Sequence, residues 1–272
     1  MNAILKEEFA ALEQARHPVR SMNAAHMLHP HELLDILLNR RFGVEYQPLV
    51  DTQSGETVGF EALSRFYRAN GEVVASDKVF ELLHDNPLLL FHAEMEMKKL
   101  QILHAPETGL LFLNLDPDSF HAGQSPGCNL FTNLFRRHQR PQREILIEVI
   151  ENLHIGDVAL ARAMITDFKD AGIRVAMDDL GVSNGLVSFA AFCDSAFIKF
   201  DRSWLAGRTN RKPAVMKWFH GMARAAGGRT VLEGIETLAD LALARDIGFD
   251  YVQGFYFRDR FVTAAWRARG QI

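Results

Sequence analysis

Seven apolar runs in this chain each end in one or two polar residues: Glu61 in VGFEALSRF, Asn114 in FLNLD, Glu148 in LIEVIE, Asp178 and Asp179 in VAMDD, Lys199 in FIKFD, Glu233 in VLEG and Gln253 in YVQG. A single acid at the end of a strand serves equally well as the cap of the next helix. This many in one chain point instead to a shared site. Carboxylates gathered in one cleft repel each other and take up protons unless a cation holds them. The donors Glu61, Asn114, Glu148, Asp178, Asp179 and Glu233 all offer oxygen, which favours Mg²⁺ or Mn²⁺ over zinc or copper. Neighbouring carboxylates such as Asp178 and Asp179 can reach two ions about 4 Å apart, the arrangement of two-metal phosphoester hydrolysis, which generates hydroxide at neutral pH. Lys199 would then orient the water or offset charge on phosphate oxygens.

The elements that must position these residues alternate along the chain. VEYQPLV and TVGFEALSRF, joined by the turn-rich DTQSGE, read as a hairpin. Strand-like runs follow at 110–115, 144–150, 173–179, 195–200, 229–234 and 250–255, with amphipathic segments between them. DVALARAMITDFKDAG closes at Gly172; PAVMKWFHGMARAAGG opens at Pro213 and closes at Gly227. This alternation predicts a parallel sheet covered by helices. The strand count favours a closed α/β barrel of the (β/α)₈ TIM type over an open doubly wound sheet, and a barrel brings the carboxyl ends of its strands to one mouth. Residues 2–16 place Leu5, Phe9 and Leu12 on one helical face. A polar connector with two prolines and four histidines follows, so residues 1–29 are expected to form an N-terminal amphipathic helical extension and residues 30–272 the barrel.

Composition narrows the setting. With 272 residues, 48% of them hydrophobic, the chain can bury a large core. Its formal charge is −4, which creates no field to gather nucleic acid. The basic run FRRHQRPQRE reads as the end of a helix. Cys128 and Cys193 are far apart and in no metal spacing, as suits reduced thiols. The start, MNAILKEEFAALEQAR, carries charge where a signal peptide needs its apolar core. A cytoplasmic protein without membrane insertion is expected.

Read together, these residues resemble the EAL domain family. Glu61, Ala62 and Leu63 match its signature, and the likeness runs in register from about residue 30 to residue 262. Gln47 and Pro48 resemble the QP motif and Asn114 the NLxP asparagine. Glu148 and Glu151 resemble the ExxE pair, Asp178 and Asp179 the DDFG pair, and Lys199 with Asp201 the KxD motif. Glu233 with Glu236 matches EGxE, and Gln253 with Gly254 the late QG. The resemblance implies a modified (β/α)₈ barrel that hydrolyses cyclic di-GMP to pGpG with two Mg²⁺ or Mn²⁺ ions and is inhibited by Ca²⁺. By the same resemblance, Glu61, Asn114, Glu148 and Asp178 would hold one metal, and Asp178, Asp179 and Glu233 the other. Glu61, Lys199 and Glu233 would be catalytic, with Lys199 on the nucleophilic water. Substrate contacts would fall to Gln47, Leu63, Arg65, Asp201, Glu236 and Gln253, with Arg65 on a phosphate and Glu236 near a guanine edge. Glu151 would anchor the loop after Asp179.

Two departures stand out. The loop reads DDLGVSNGLVSF where active members have DDFGTGYSSL, so turnover is expected to suffer more than binding. Arg260 stands where many members have proline, with an expected effect at the nucleotide edge of the site. A homodimer is expected, and the N-terminal helix either packs on its own barrel or serves the dimer or a regulatory partner. Two other functions compete: a receptor that binds cyclic di-GMP without cleaving it, and a serine hydrolase suggested by Gly181, Ser183 and Gly185. The second needs a histidine after the serine, and the only one is His220, inside a helical stretch.

Overall fold

The computed structural model describes residues 28–150, 157–181, 188–206 and 211–264. The N-terminal helix and most of the connector, Glu151 and the loop residues Val182 to Leu186 with Val187 lie outside them.

Eight strands close into a barrel: β1 (Phe42–Asp51), β2 (Thr57–Tyr67), β3 (Gly109–Asn114), β4 (Arg143–Ile150), β5 (Val175–Leu180), β6 (Phe197–Phe200), β7 (Arg229–Leu232) and β8 (Tyr251–Val252). From β2 through β8 neighbouring strands run parallel. β1 closes the ring and runs against both of its neighbours, β2 and β8. The tight hairpin imposes that reversal, since a short turn can join only antiparallel strands. The turn is held by Asp51, whose Oδ1 accepts from the backbone of Gln53 and Ser54. The sheet is therefore mixed, where alternation alone predicts a parallel one. Beyond β8, Val262–Ala264 pairs antiparallel with Val44–Tyr46 of β1.

Helices cover the barrel: α1 (Pro30–Leu38), α2 (Ser76–Leu83), α3 (Pro87–Leu103), α4 (Pro117–Ala122), α5 (Leu130–His138), α6 (Asp157–Asp170), α7 (Phe189–Asp194), α8 (Lys212–Ala225) and α9 (Leu238–Ile247). Their ends follow local chemistry. α9 opens with a capping box in which Thr237 and Asp240 satisfy each other's backbone, and it stops at Gly248, whose φ of 100° suits a residue without Cβ. α5 ends in Arg136, Arg137 and His138, the basic last turn expected of FRRHQRPQRE.

Strand periodicity sorts the apolar residues into two sets. Leu111, Leu113, Ile145 and Ile147 face the helices, as do Met177, Ile198, Phe200 and Leu232. Leu49, Phe112, Leu146, Ala176, Phe197 and Val231 form the lumen plug. Phe112 meets Phe197 edge-on there, centroids 5.1 Å apart. The barrel is thus filled, and a site can exist only above the plug, at its mouth.

Candidate active site

Side chains two residues apart on a strand share a face. Counting two forward from each plug residue gives Asn114 from Phe112, Glu148 from Leu146, Asp178 from Ala176, Lys199 from Phe197 and Glu233 from Val231. Each polar residue is the next inward position of its strand, and together they form the layer above the plug. Glu61 enters from β2 and pairs in register with Phe112 across the β2–β3 ladder.

The Lys199 ammonium stands at the centre. Its Nζ is 2.6 Å from Glu148 Oε1, 2.7 Å from Glu233 Oε1, 3.2 Å from Glu61 Oε2 and 3.2 Å from Asp178 Oδ1. Glu61 Oε1 also accepts from Asn114 Nδ2 at 2.9 Å, and Oε2 from Gln253 Nε2 at 2.6 Å. Glu61, Glu148, Asp178, Lys199 and Gln253 are all buried.

Asp179 reaches the same cluster through an irregularity. Pairing between β5 and β6 runs Met177 with Ile198 and then Leu180 with Phe200, so Asp178 and Asp179 together face Lys199. This is a β-bulge, which re-aims side chains beside many active sites. Asp179 has φ of +60°, a conformation few side chains adopt. In a regular strand Asp179 would turn outward. Here carboxylate oxygens of Asp178, Asp179 and Glu233 all lie within 4.8 Å of one another.

The electrostatics follow from burial and crowding. Burial pushes Glu61 up, but Lys199 and the amides of Gln253 and Asn114 outweigh it and hold the carboxyl below its ordinary value. Burial raises Glu148 well above the usual range, with the Glu61 charge adding to it. Asp178 is raised by burial and by Glu61, against the pull of Lys199. Burial and the Asp178 charge push Asp179 up to about 6. Glu233 is pushed up to about 8 by burial, with Asp178 and Glu61 adding and Lys199 opposing. Lys199 itself is raised well above its usual value, because the four carboxylates outweigh its desolvation.

A divalent cation fits this donor set on one observation in particular. Glu148 Oε2 is buried with no hydrogen-bond donor among the described residues, while Glu148 Oε1 and Asp178 Oδ1 have the shared Lys199 ammonium at 2.6 and 3.2 Å. One ammonium has three N–H donors, so it cannot satisfy all the oxygens of the four carboxylates around it. Buried acceptors of this kind are normally satisfied, and an all-oxygen set suits a hard cation.

The other expected residues sit around this core. Arg65 donates Nη2 to Glu45 Oε1 at 2.6 Å, and Gln47 Nε2 donates to the same oxygen at 3.1 Å. Leu63 lines two cavities that meet over Glu61 and Asp178, of about 450 and 230 Å³. Arg65 lies in the larger, Gln47, Glu236 and Gln253 in the smaller. Asp201 Oδ1 accepts from the Ser203 backbone, capping a short 3₁₀ turn, and lines a third cavity of about 660 Å³ with Arg202 and Glu236. Arg260 is not at the site's edge: its Nη1 donates to Gly55 O at 2.8 Å, in the β1–β2 turn, and its guanidinium lies over the Phe257 ring. His220 contacts Thr230 Oγ1 at 2.9 Å and the Phe249 ring on the barrel's outer side. It joins no acid or nucleophile of the mouth, and Ser183 lies outside the described residues. Glu45 is the residue sequence reasoning passed over. Its one signal was its position two before Gln47, on the same face of β1.

The family model described as EAL domain matches residues 31–259. A probable cyclic di-GMP phosphodiesterase, PdeB of Escherichia coli K12, is 26% identical over 235 residues, covering 84% of this chain and 44% of that protein. The cyclic di-GMP phosphodiesterase PdeL of the same organism is 25% identical over 243 residues, covering 85% and 66%. The chain thus spans less than half of the first relative's length. Among solved structures, the Bacillus subtilis YkuI protein with an EAL domain, in complex with cyclic di-GMP and calcium, superposes with a TM-score of 0.71 at 22% identity, covering 89% of this chain and 60% of that one.

Proposed function

The chain belongs to the EAL domain family, and on that premise we propose that it is a metal-dependent phosphodiesterase that opens cyclic di-GMP to pGpG. The observation that carries this reading is the ring of buried and half-buried carboxylates brought by four strands around Lys199, more acceptor oxygens than that one ammonium can satisfy. Five carboxylates, Glu61, Glu148, Asp178, Asp179 and Glu233, against one ammonium leave four negative charges, which two divalent ions would match.

Glu61, Asn114, Glu148 and Asp178 would hold one Mg²⁺ or Mn²⁺, and Asp178, Asp179 and Glu233 the other. When bound, such ions acidify water at neutral pH and neutralise non-bridging phosphate oxygens. The protein's own groups do the rest. Lys199, kept protonated by its neighbours, can donate to an oxygen at the centre of the ring. Gln253 and Asn114 fix the Glu61 carboxylate by one hydrogen bond on each oxygen. The cavities of about 450 and 230 Å³ meeting over Glu61 and Asp178 suit a ligand whose scissile phosphate lies between two bulky bases. Arg65 in the larger cavity has donors suited to a phosphate. Gln47, Leu63, Glu236 and Gln253 would line the path of a base, and Asp201 the outer cavity. The dimer, the regulatory partner, the barrel unit at residues 30–272 and inhibition by Ca²⁺ belong to the same proposal.

Hydrolysis of cyclic di-GMP by the purified protein tests it, with Mg²⁺ or Mn²⁺, with chelator, and beside Glu61→Ala. The expected result is pGpG formation that needs the metal and is lost in the variant. Tight binding with no pGpG formed would support a receptor instead.

A further inference from the structure

β5 leaves the barrel through two left-handed residues, Asp179 and Gly181. Asp179 at φ +60° costs on the order of 1 kcal/mol or more, and such strain persists only where the surroundings over-determine it. The surroundings come from the exit of β6. The indole Nε1 of Trp204 donates to the Leu180 carbonyl at 2.6 Å. The Asp201 backbone N–H donates to the same oxygen at 3.2 Å, and the Ser203 hydroxyl donates to the Gly181 carbonyl at 3.2 Å.

The indole is itself fixed. Its ring lies 6.0 Å from Phe200 and 6.1 Å from Phe219, centroid to centroid. Its edge presses on Gly181, where a Cβ would fall 2.1 Å from Nε1 and where φ is +98°. Glycine is required there for both reasons. The turn Arg202–Trp204 therefore grips the two residues that directly follow Asp179.

We infer that Trp204, assisted by Ser203, is a positioning residue: its indole N–H holds the bulge of β5 in the register that turns Asp179 toward Asp178 and Glu233, and so sets how tightly that triad takes a divalent cation. Packing alone does not explain the indole, because a phenylalanine could also pack between Phe200 and Phe219 but could not donate to Leu180. The inference rests on the cation reading above.

The test is Mn²⁺ titrated calorimetrically into the metal-free full chain, with the paramagnetic resonance spectrum of bound Mn²⁺ and the metal-free Tm recorded beside it. Trp204→Phe is expected to weaken Mn²⁺ binding about five-fold, the scale of one hydrogen bond, and to alter the bound spectrum while metal-free Tm holds. Trp204→Ala, which also removes packing, should lower both. Should Trp204→Phe lower the metal-free Tm as well, Ser203→Ala carries the test, since it leaves the indole packed: weaker Mn²⁺ binding upholds the clamp and unchanged binding overturns it. Equal Mn²⁺ affinity in the wild type and a folded Trp204→Phe overturns it directly. A wild type that binds no Mn²⁺ removes the cation reading, and this inference with it.

Discussion

Gln253 shows how a residue's role shifts once its neighbours are known. By resemblance it is a substrate contact, yet its amide donates to Glu61 Oε2 at 2.6 Å. It therefore orients a metal-ligand candidate, and groups of that kind typically carry 10–100-fold in affinity or activity. Gln253→Ala is expected to weaken Mn²⁺ binding by roughly that factor and to lower kcat more than it raises KM, as calorimetry and steady-state kinetics would record. A second expectation concerns protons. Asp179 at about 6 and Glu233 at about 8 hold protons in the metal-free protein where free carboxyls would not. Their folded values lie above the ordinary 3.8 and 4.5, so these two groups make the metal-free fold less stable as pH rises toward 8. Cations need the charged forms, so Mn²⁺ affinity should climb between pH 6 and 8, with protons released on binding. Titration in buffers of different ionisation enthalpy measures that release, and a pH-independent affinity would count against it.

At the scale of elements, α3 braces the strand that carries Glu61. Gln101 Nε2 donates to the Ala62 carbonyl at 2.9 Å, and Tyr46 on β1 donates its hydroxyl to the Gln101 carbonyl at 2.8 Å. One turn earlier on the same face, Glu94 and Lys98 form a buried pair 2.8 Å apart. Burial raises the Glu94 carboxyl and Lys98 opposes the rise. Lys98→Met should strand that carboxylate and cost about 3–5 kcal/mol, whereas Glu94→Leu with Lys98→Met should come close to wild type. Urea denaturation of both variants distinguishes this from a pair that contributes nothing. The period-2 pattern made most of these strands legible, since plug residue and site residue alternate with outward apolar ones. It could not show the bulge at Asp178 and Asp179, which depends on the pairing of β5 with β6. Nor could it show Glu45 holding Arg65, because that contact spans the hairpin through side chains 20 residues apart.

For the molecule as a whole, the site concentrates like charge where four strands end, and folding has to overcome that repulsion. Divalent ions that bind only the folded form should add about 2.7 kcal/mol at a concentration one hundred times Kd. For a chain of this size that is a rise in Tm on the order of 5 °C. Calorimetric melts with Mn²⁺ and then with chelator check it, and a Tm indifferent to both would argue against a cation at the mouth. None of the described helices is long and apolar enough to cross a membrane.

The sequence by itself determined the donors, their oxygen chemistry and their order along alternating strands and helices, because residue type and local periodicity are properties of the chain. It also determined the hairpin, whose tight turn forces β1 to run backwards. Only the tertiary structure decided which of those donors touch. Closure of the barrel set Lys199 among four carboxylates, the bulge turned Asp179 inward, and Glu45 took the guanidinium of Arg65. Those outcomes depend on register between strands distant in sequence, and no local pattern encodes that register.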